Sequence, residues 1–276
     1  MTCTSPLLIK SKPPLSKTFE VPCSKCMNCR IRRTAEWTKR ILDESEGKES
    51  CFVTLTYEDK FLPLDFSLKK DHIQKFFKRL RKKLKEKTIK YYACGEYGDS
   101  TLRPHYHAII IGWRPDFDSL RKINENVVTS TELSKLWKFG FNTVGNLTKE
   151  SAQYVTGYIR KKQYGKKDYN PYYPREAPFC ISSKELGFEY AKKNFKRILK
   201  GETVNGKNLG IPRYYLKKLA TKKDMEFLTD KQLDNEAKKL EDFDNYYDFQ
   251  KARNLDMARR EADANSKELL FQKSKI

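Results

Sequence analysis

The sequence predicts an α+β fold, a central antiparallel sheet flanked by helices, and three observations carry that reading. After a first helix, strand-like and helix-like stretches follow in the order β-α-β-β-α-β-α. Two of the strand-like runs, IKYYACGEYG and HYHAIIIGW, are separated by one short glycine-bearing loop, so they read as a hairpin, and hairpins build antiparallel sheets. The helical stretches are amphipathic, each with an apolar stripe to lay against such a sheet.

Taken in order, residues 1–20 read as extended, with Pro13-Pro14 discouraging a helix. VPCSKCMNCRIRRTAEWTKRILDESEG follows: a cysteine knuckle, then a basic helix ending near Gly47. SCFVTLTYED is β-branched and aromatic and reads as a strand, closed by the turn-like FLPLDF. From Ser67 a helix is expected, because Ile73, Phe76, Phe77, Leu80 and Leu84 recur at helical spacing while its other faces are Lys and Arg. On that basic helix His72 reads as a surface histidine. After the hairpin, TELSKLWKFG predicts a short helix with Gly140 as its stop, FNTVGNL a strand, and TKESAQYVTGYIRKKQYG an amphipathic helix. Residues 165–222 are basic and rich in Tyr and Pro, and residues 224–276 read as charge-mixed helix. The expected organisation is an N-terminal segment with knuckle and basic helix (1–47), a main domain with a basic extension (48–222), and a helical tail (223–276).

Charge narrows the function. The formal net charge is +21 over 276 residues. Residues 224–276 carry 10 basic and 13 acidic side chains, net −3, which leaves 47 against 23, net +24, on the rest. A field of that size points to a polyanion, with nucleic acid the default. No run of 18 apolar residues exists, which argues against a membrane span. The N-terminus lacks a long apolar stretch and a small-residue cleavage site, so secretion is not expected. Seven cysteines, an odd number, then read as thiols or metal ligands in a reducing cytoplasm.

Two of the three histidines, His105 and His107, stand one residue apart on a strand, and side chains alternate across a strand, so both project from one face. Glu96, at the end of the preceding strand, is placed by the hairpin beside His105. Two imidazoles and a carboxylate suit a divalent cation with open positions. Spacing alone leaves metal binding and aromatic packing both open. In YVTGYIRKK, Tyr154, Tyr158 and Lys161 fall within one arc of a helix, while Ala152, Val155 and Ile159 face the core. Y-x3-Y is common by chance, but beside a cation and a polyanion a phenol becomes a sensible nucleophile toward phosphorus, with Lys161 to stabilise charge. Cys23, Cys26 and Cys29 form C-x2-C-x2-C, and Cys3 is a fourth ligand if residues 4–22 loop back. Four thiolates suit structural Zn²⁺. An iron–sulfur cluster fits less well, since no cysteine follows Cys29 closely. Such a zinc would aim the helix bearing Arg30, Arg32, Arg33, Lys39 and Arg40 at DNA. Cys51, Cys94 and Cys180 read as core. Lys78, Arg79, Arg81, Lys82 and Lys83 are either a solvated helix face or a backbone-binding surface. NPYYPRE and IPRYYLKK, the latter with Arg213, can stack unpaired bases or pack as loops.

FVTLTY, GEYG…RPHYHAIIIG and YVTGYIRKK, in this order, resemble the three motifs of HUH endonucleases, the superfamily of rolling-circle replication initiators. The knuckle with its Arg/Trp helix, and IPRYY, are similar to the initiators of small single-stranded DNA phages of the gokushovirus type. The resemblance covers roughly residues 1–222 and implies a ferredoxin- or RRM-like sheet. It implies Mg²⁺ or Mn²⁺ on His105, His107 and Glu96, with Tyr154 and Tyr158 as alternating nucleophiles. It further implies nicking and joining of DNA through a 5′-phosphotyrosine in the host bacterial cytoplasm. The partners implied are single-stranded and origin duplex DNA and a host helicase and polymerase. Many members place Lys three residues after the first nucleophilic Tyr; Tyr158 has Lys161 there, Tyr154 has Gly157, which favours Tyr158 for the first cut. A transposase or relaxase uses the same chemistry, although the Tyr pair differs from single-Tyr transposases and two histidines from the three of many relaxases. A non-catalytic, zinc-dependent DNA-binding regulator is the alternative from another class.

Overall fold

In the computed structural model the described residues are 3–10, 18–98, 101–125, 127–161, 172–201, 203–204, 207–208, 210–241, 243 and 245–273. They divide into two compact units, Trp37–Lys193 and the pair of segments Met1–Glu36 with Asn194–Ile276. Pro13-Pro14, part of NPYYPRE and the side chains of Ile159 and Lys161 lie outside the described residues.

The larger unit is organised by five antiparallel strands. β3 (Ser50–Tyr57) and β5 (Pro104–Ile111) are central, and the order across the sheet is β8-β3-β5-β4-β9, with β4 at Lys90–Tyr97, β8 at Gly140–Asn146 and β9 at Phe179–Ser182. The α+β expectation holds, and so does the hairpin: β4 and β5 pair from Lys90↔Ile111 to Tyr97↔Pro104. The sheet has two unlike faces. Cys51, Val53, Leu55 and Tyr57 of β3 are fully buried on one of them, together with Tyr106, Ala108 and Ile110 of β5. Helix α2 (Lys70–Leu84) covers this face with Ile73, Phe76, Phe77 and Leu80, each buried at 0–1% exposure. Burial of side chains of this size contributes about 1.5–3 kcal/mol each, which accounts for the docking of a helix whose other faces are basic. The opposite face of β3 is only half-buried at Phe52, Thr54 and Thr56. There Ile109, Ile111, Tyr92 and Cys94 pack with Ala152, Val155 and Tyr158 of helix α4 (Lys149–Lys161) and with Ile41 of helix α1 (Met27–Ser45).

Three sequence expectations are corrected here. The helix in TELSKLWKFG, α3, ends at Leu136 rather than running toward Gly140. Trp137 leaves the helix to fill the core and donates its indole N–H to the Thr56 carbonyl. Gly140 instead opens β8, where an added Cβ would stand 2.2 Å from the Glu58 nitrogen and 2.6 Å from the Thr56 oxygen, at φ +148°. Only glycine lets the strand approach β3 so closely. His72 is half-buried rather than on the surface. Its ring stacks 4.1 Å from Phe139, its Nδ1 lies 2.8 Å from the Tyr57 hydroxyl, and burial lowers its pKa. Cys51 and Cys94 are buried as expected, but Cys180, on the outermost strand β9, is half-buried.

Strand β9 and helix α5 (Phe188–Lys200) belong to a region whose composition predicted neither. A small hairpin, β6 (Leu120–Lys122) with β7 (Val128–Ser130), precedes α3. In the smaller unit, β1 (Leu7–Lys10) and β2 (Thr18–Val21) form a hairpin and lead into the start of α1. The two-residue strands β10 (Thr203–Val204) and β11 (Lys207–Asn208) precede helix α6 (Arg213–Leu219). The C-terminal residues form two helices as expected, α7 (Lys222–Leu240) and α8 (Tyr246–Lys273), the first opened by a Thr221–Asp224 capping box. No described helix is long and apolar enough to cross a membrane.

Candidate active site and cysteine cluster

Sheet register assembles the first site. Glu96 of β4 is the direct cross-strand partner of His105 on β5, so their side chains leave the same face side by side. His107, two residues on, projects from that face as well. All three converge on one point. His105 Nε2 lies 3.0 Å and His107 Nε2 3.3 Å from the same oxygen, Glu96 Oε1. Neighbouring ligands around a divalent cation held at about 2.1 Å sit about 3.0–3.4 Å apart. The spacing and the donor set therefore fit such an ion.

The ring nitrogens facing away are also engaged, which aims the pair. His105 Nδ1 is 3.0 Å from the Arg103 carbonyl, an acceptor, so Nδ1 carries the proton and Nε2 presents its lone pair. His107 Nδ1 is 2.9 Å from the hydroxyl of Thr54, its cross-strand neighbour on β3. Such outer bonds hold tautomer and orientation at metal-binding histidines. Burial opposes ionisation of Glu96, but hydrogen bonds from His105 and His107 outweigh it and hold the carboxyl well below the usual carboxylate range. The site thus keeps a negative charge in a largely dry setting, an arrangement that attracts a cation.

The tyrosines close over the same histidine. Tyr158 stacks on His107 with ring centroids 5.3 Å apart and planes 6° from parallel. Tyr154 meets His107 edge-on at 5.2 Å and Tyr158 edge-on at 5.2 Å. Phe52 of the first strand packs against both His107 and Tyr154. Tyr158 is 3% exposed whereas Tyr154 is half-buried. Burial, reinforced by the adjacent Glu96 charge, drives the Tyr158 phenol far above its ordinary pKa. Helix α4 is held in place by Ala152 and Val155, fully buried, and by a 2.8 Å hydrogen bond between the hydroxyls of Thr156 and Thr38. Sequence reasoning missed the part played by Thr54. Strand alternation in FVTLTY put Thr54 and Thr56 on one face, but only the pairing of β3 with β5 showed which face it was.

The cysteines converge in the smaller unit. The β1–β2 hairpin pairs Leu7 with Val21 and so returns the chain to bring Cys3 beside Cys23. The four ligand sulfurs of Cys3, Cys23, Cys26 and Cys29 lie within 4.8 Å of one another, and Cys3 Sγ is 3.8 Å from Cys26 Sγ. Four sulfurs at about 2.3 Å from one zinc stand about 3.8 Å apart, so the donor set fits that ion. Burial works against ionisation of Cys23, yet backbone N–H donors from Cys26 and Lys25 lower its pKa to about 6. Burial and the neighbouring Cys26 sulfur push Cys29 up to about 12.

The basic residues separate into two groups. Arg32, Arg33, Lys78, Arg81, Lys82, Lys83 and Arg213 are exposed. Tertiary structure brings Arg213 into electrostatic range of Glu36, whose carboxyl also feels Arg32 and Arg33 and is nevertheless raised in pKa by burial. Arg30 and Arg79 are half-buried, and their Nε groups donate to the carbonyls of Lys25 and Leu136, at 2.9 and 2.7 Å. Lys83 pairs with Glu132. Lys39 and Arg40, grouped on sequence with the DNA-facing arginines, are buried instead. Lys39 pairs with Asp43, and Arg40 lies over the Trp37 ring and donates to the Leu186 carbonyl.

The replication-associated protein ORF2 family matches residues 50–163, a span that runs from β3 through both tyrosines. Replication-associated protein ORF2 of Spiroplasma virus 4 is 35% identical over 230 residues, 76% of this chain and 71% of its own length. Replication-associated protein VP4 of Bdellovibrio phage phiMH2K is 32% identical over 283 residues, covering 91% and 88% of the two chains. Replication-associated protein ORF4 of Chlamydia phage 1 is 33% identical over 232 residues, 77% of this chain and 57% of its own. No solved structure matches the chain. The Spiroplasma and Bdellovibrio proteins are matched at more than 30% identity over more than two thirds of their length, and the chain therefore belongs to the replication-associated protein ORF2 family.

Proposed function

We propose that this protein initiates rolling-circle replication of a small single-stranded DNA phage genome by nicking and rejoining one DNA strand in the host bacterial cytoplasm. The observation that carries the proposal is the convergence of Glu96, His105 and His107 on one point, with two tyrosine rings packed against His107. Glu96, His105 and His107 would hold Mg²⁺ or Mn²⁺, which polarises a phosphodiester and lowers the barrier to attack. A tyrosine oxygen attacks phosphorus, a P–O(Tyr) bond forms, and the P–O3′ bond breaks. The phenolic proton is lost to the surroundings, and the 3′ oxygen leaves protonated as a primer end for a host polymerase, with a host helicase opening the duplex. Lys161, on the same helix arc, would stabilise the charge developing on phosphate. The second tyrosine cuts the regenerated origin, and the freed 3′-hydroxyl attacks the first phosphotyrosine to close a circle. Two nucleophiles within one ring contact of each other support such a relay without release of the first DNA end. Tyr158, with Lys161 three residues on, is expected to cut first.

The cysteine cluster would hold a structural Zn²⁺, and the exposed Arg32, Arg33, Lys78, Arg81, Lys82, Lys83 and Arg213 would contact the DNA backbone, with Arg30 and Arg79 at its margin. The test is incubation with Mn²⁺ and labelled single-stranded oligonucleotides that tile the cognate origin. A covalent adduct is expected, lost in Tyr154→Phe/Tyr158→Phe and reduced at least a hundredfold in His107→Ala. An adduct that persists in the double variant, or no adduct on any oligonucleotide, overturns the proposal, and the mapped tyrosine assigns the order of cuts.

A further inference from the structure

The catalytic row does not end at the histidines. His105 pairs across the sheet with Thr56 on β3, and Thr56 pairs in turn with Phe141 on β8. Directly paired residues share a face, so Glu96, His105, Thr56 and Phe141 form one line across four strands on the side that carries the tyrosines. Exposure rises along it, from buried Glu96 through half-buried His105 and Thr56 to Phe141, which is 63% exposed. Two strand spacings, about 10 Å, separate Phe141 from His105. The neighbouring row on β8 offers Thr143, opposite Thr54, and then Gly145, so the face beside Phe141 is low and open.

At this point the strand also has its polarity reversed. Asn142 is turned inward and 4% exposed, with its side-chain oxygen accepting from Ser130 N–H and its amide donating to Ser134 Oγ and the Ser130 carbonyl. Those bonds, and the close approach at Gly140, pin β8 so that the aromatic ring points to solvent from a rigid strand. A buried Asn beside an exposed Phe is the opposite of what folding alone favours. Such a reversal finds its reason in a ligand that covers the ring.

We propose that Phe141 is the stacking platform for one unpaired base next to the scissile phosphate, so that single-stranded DNA crosses the sheet along the line from Phe141 to His105. This rests on the nicking reading above and adds a residue that positions its substrate. A flat aromatic ring suits any base, so Phe141 contributes affinity and placement rather than sequence choice. A second copy of this chain docking on the same ring is the competing occupant, and the experiment separates the two.

Single-stranded origin oligonucleotides carrying 2-aminopurine at successive positions around the nick are titrated with the wild type, Phe141→Ala and Phe141→Trp in EDTA, where no cleavage occurs. In the wild type one position is expected to show stacking quench. Phe141→Ala is expected to lose that quench and to raise Kd about tenfold or more, and Phe141→Trp to restore both. Adduct formation at saturating DNA is expected to stay within about threefold for all three proteins. Unchanged Kd and quench in Phe141→Ala overturn the inference, as does a concentration-dependent dimer in the wild type that the same variant abolishes. Failure of the nicking reading itself registers separately, as absence of the wild-type adduct in Mn²⁺.

Discussion

Glu96, His105 and His107 stand on adjacent inner strands of a five-stranded sheet, whereas Cys3, Cys23, Cys26 and Cys29 are gathered by a two-stranded hairpin and the first turn of a helix. The first cluster is held by a fold that owes nothing to a metal. Its strands are backed by fully buried Val53, Leu55, Ala108 and Ile110, and its outer nitrogens are braced by Thr54 and the Arg103 carbonyl. The second has little of its own to stand on. Leu7, Leu8 and Ile9 of β1 are 50–70% exposed, so the hairpin buries almost no apolar surface, and isolated two-stranded hairpins are marginal in water. The difference teaches what each ion would be for. A preformed, charged cluster with neighbouring phenols is suited to chemistry, and a cluster without a core is suited to supplying the folding energy itself.

The comparison breaks most visibly by removing the cysteine ligands. Structural zinc binding contributes apparent free energies on the order of 10 kcal/mol in small domains. Cys26→Ser, or a strong chelator, is expected to erase amide-exchange protection across β1 and β2 while β3, β4 and β5 stay protected. If both hairpin strands remain protected without metal, the cluster is not a folding element and the contrast fails. Thr54→Val sharpens the other side with a smaller effect. It keeps the shape and removes the hydroxyl at His107 Nδ1, and outer-ligand losses of this kind weaken metal binding about ten- to a hundredfold. Calorimetric Mn²⁺ titration should show that loss with thermal stability nearly unchanged; equal affinity would mean that His107 needs no brace.

The smallest expected effect is a pH dependence in metal-free protein. Glu96 has its folded pKa depressed by His105 and His107. Its stabilisation is therefore fully present above the unfolded carboxyl value of about 4.3 and is lost as pH falls below that, through the folded pKa. The Tm difference between wild type and Glu96→Gln should be flat from pH 7 to about 5 and shrink with further acidification. A difference that grows on acidification would mean the carboxylate is not held by the imidazoles.

Much of this was legible in the residues. Alternation alone put His105 and His107 on one face, and helical spacing put Tyr154 beside Tyr158 and buried Ala152 and Val155. The apolar stripe of α2 was read in full, because burial on one face of a helix leaves a period that needs no partner to be seen. Other features left no such trace. Lys39 and Arg40 look like their exposed neighbours in sequence, and only the packing of Asp43, Trp37 and Leu186 around them turns them inward. Strand β9 is four residues in a Tyr- and Pro-rich stretch, too short for its own pattern to register.

By itself, then, the sequence determined which residue types share a face, how many thiolates stand within reach of one another, and that the body carries a strong positive field. These are local or additive properties, set by side-chain period, spacing and charge. Only the tertiary structure decided that Glu96 meets both imidazoles on one oxygen, that Thr54 braces His107, that Arg213 joins Arg32 and Arg33, and that Phe141 continues the catalytic row. Each of these depends on strand register or on contacts between distant segments, where a shift of one residue would send every side chain to the other face of the sheet.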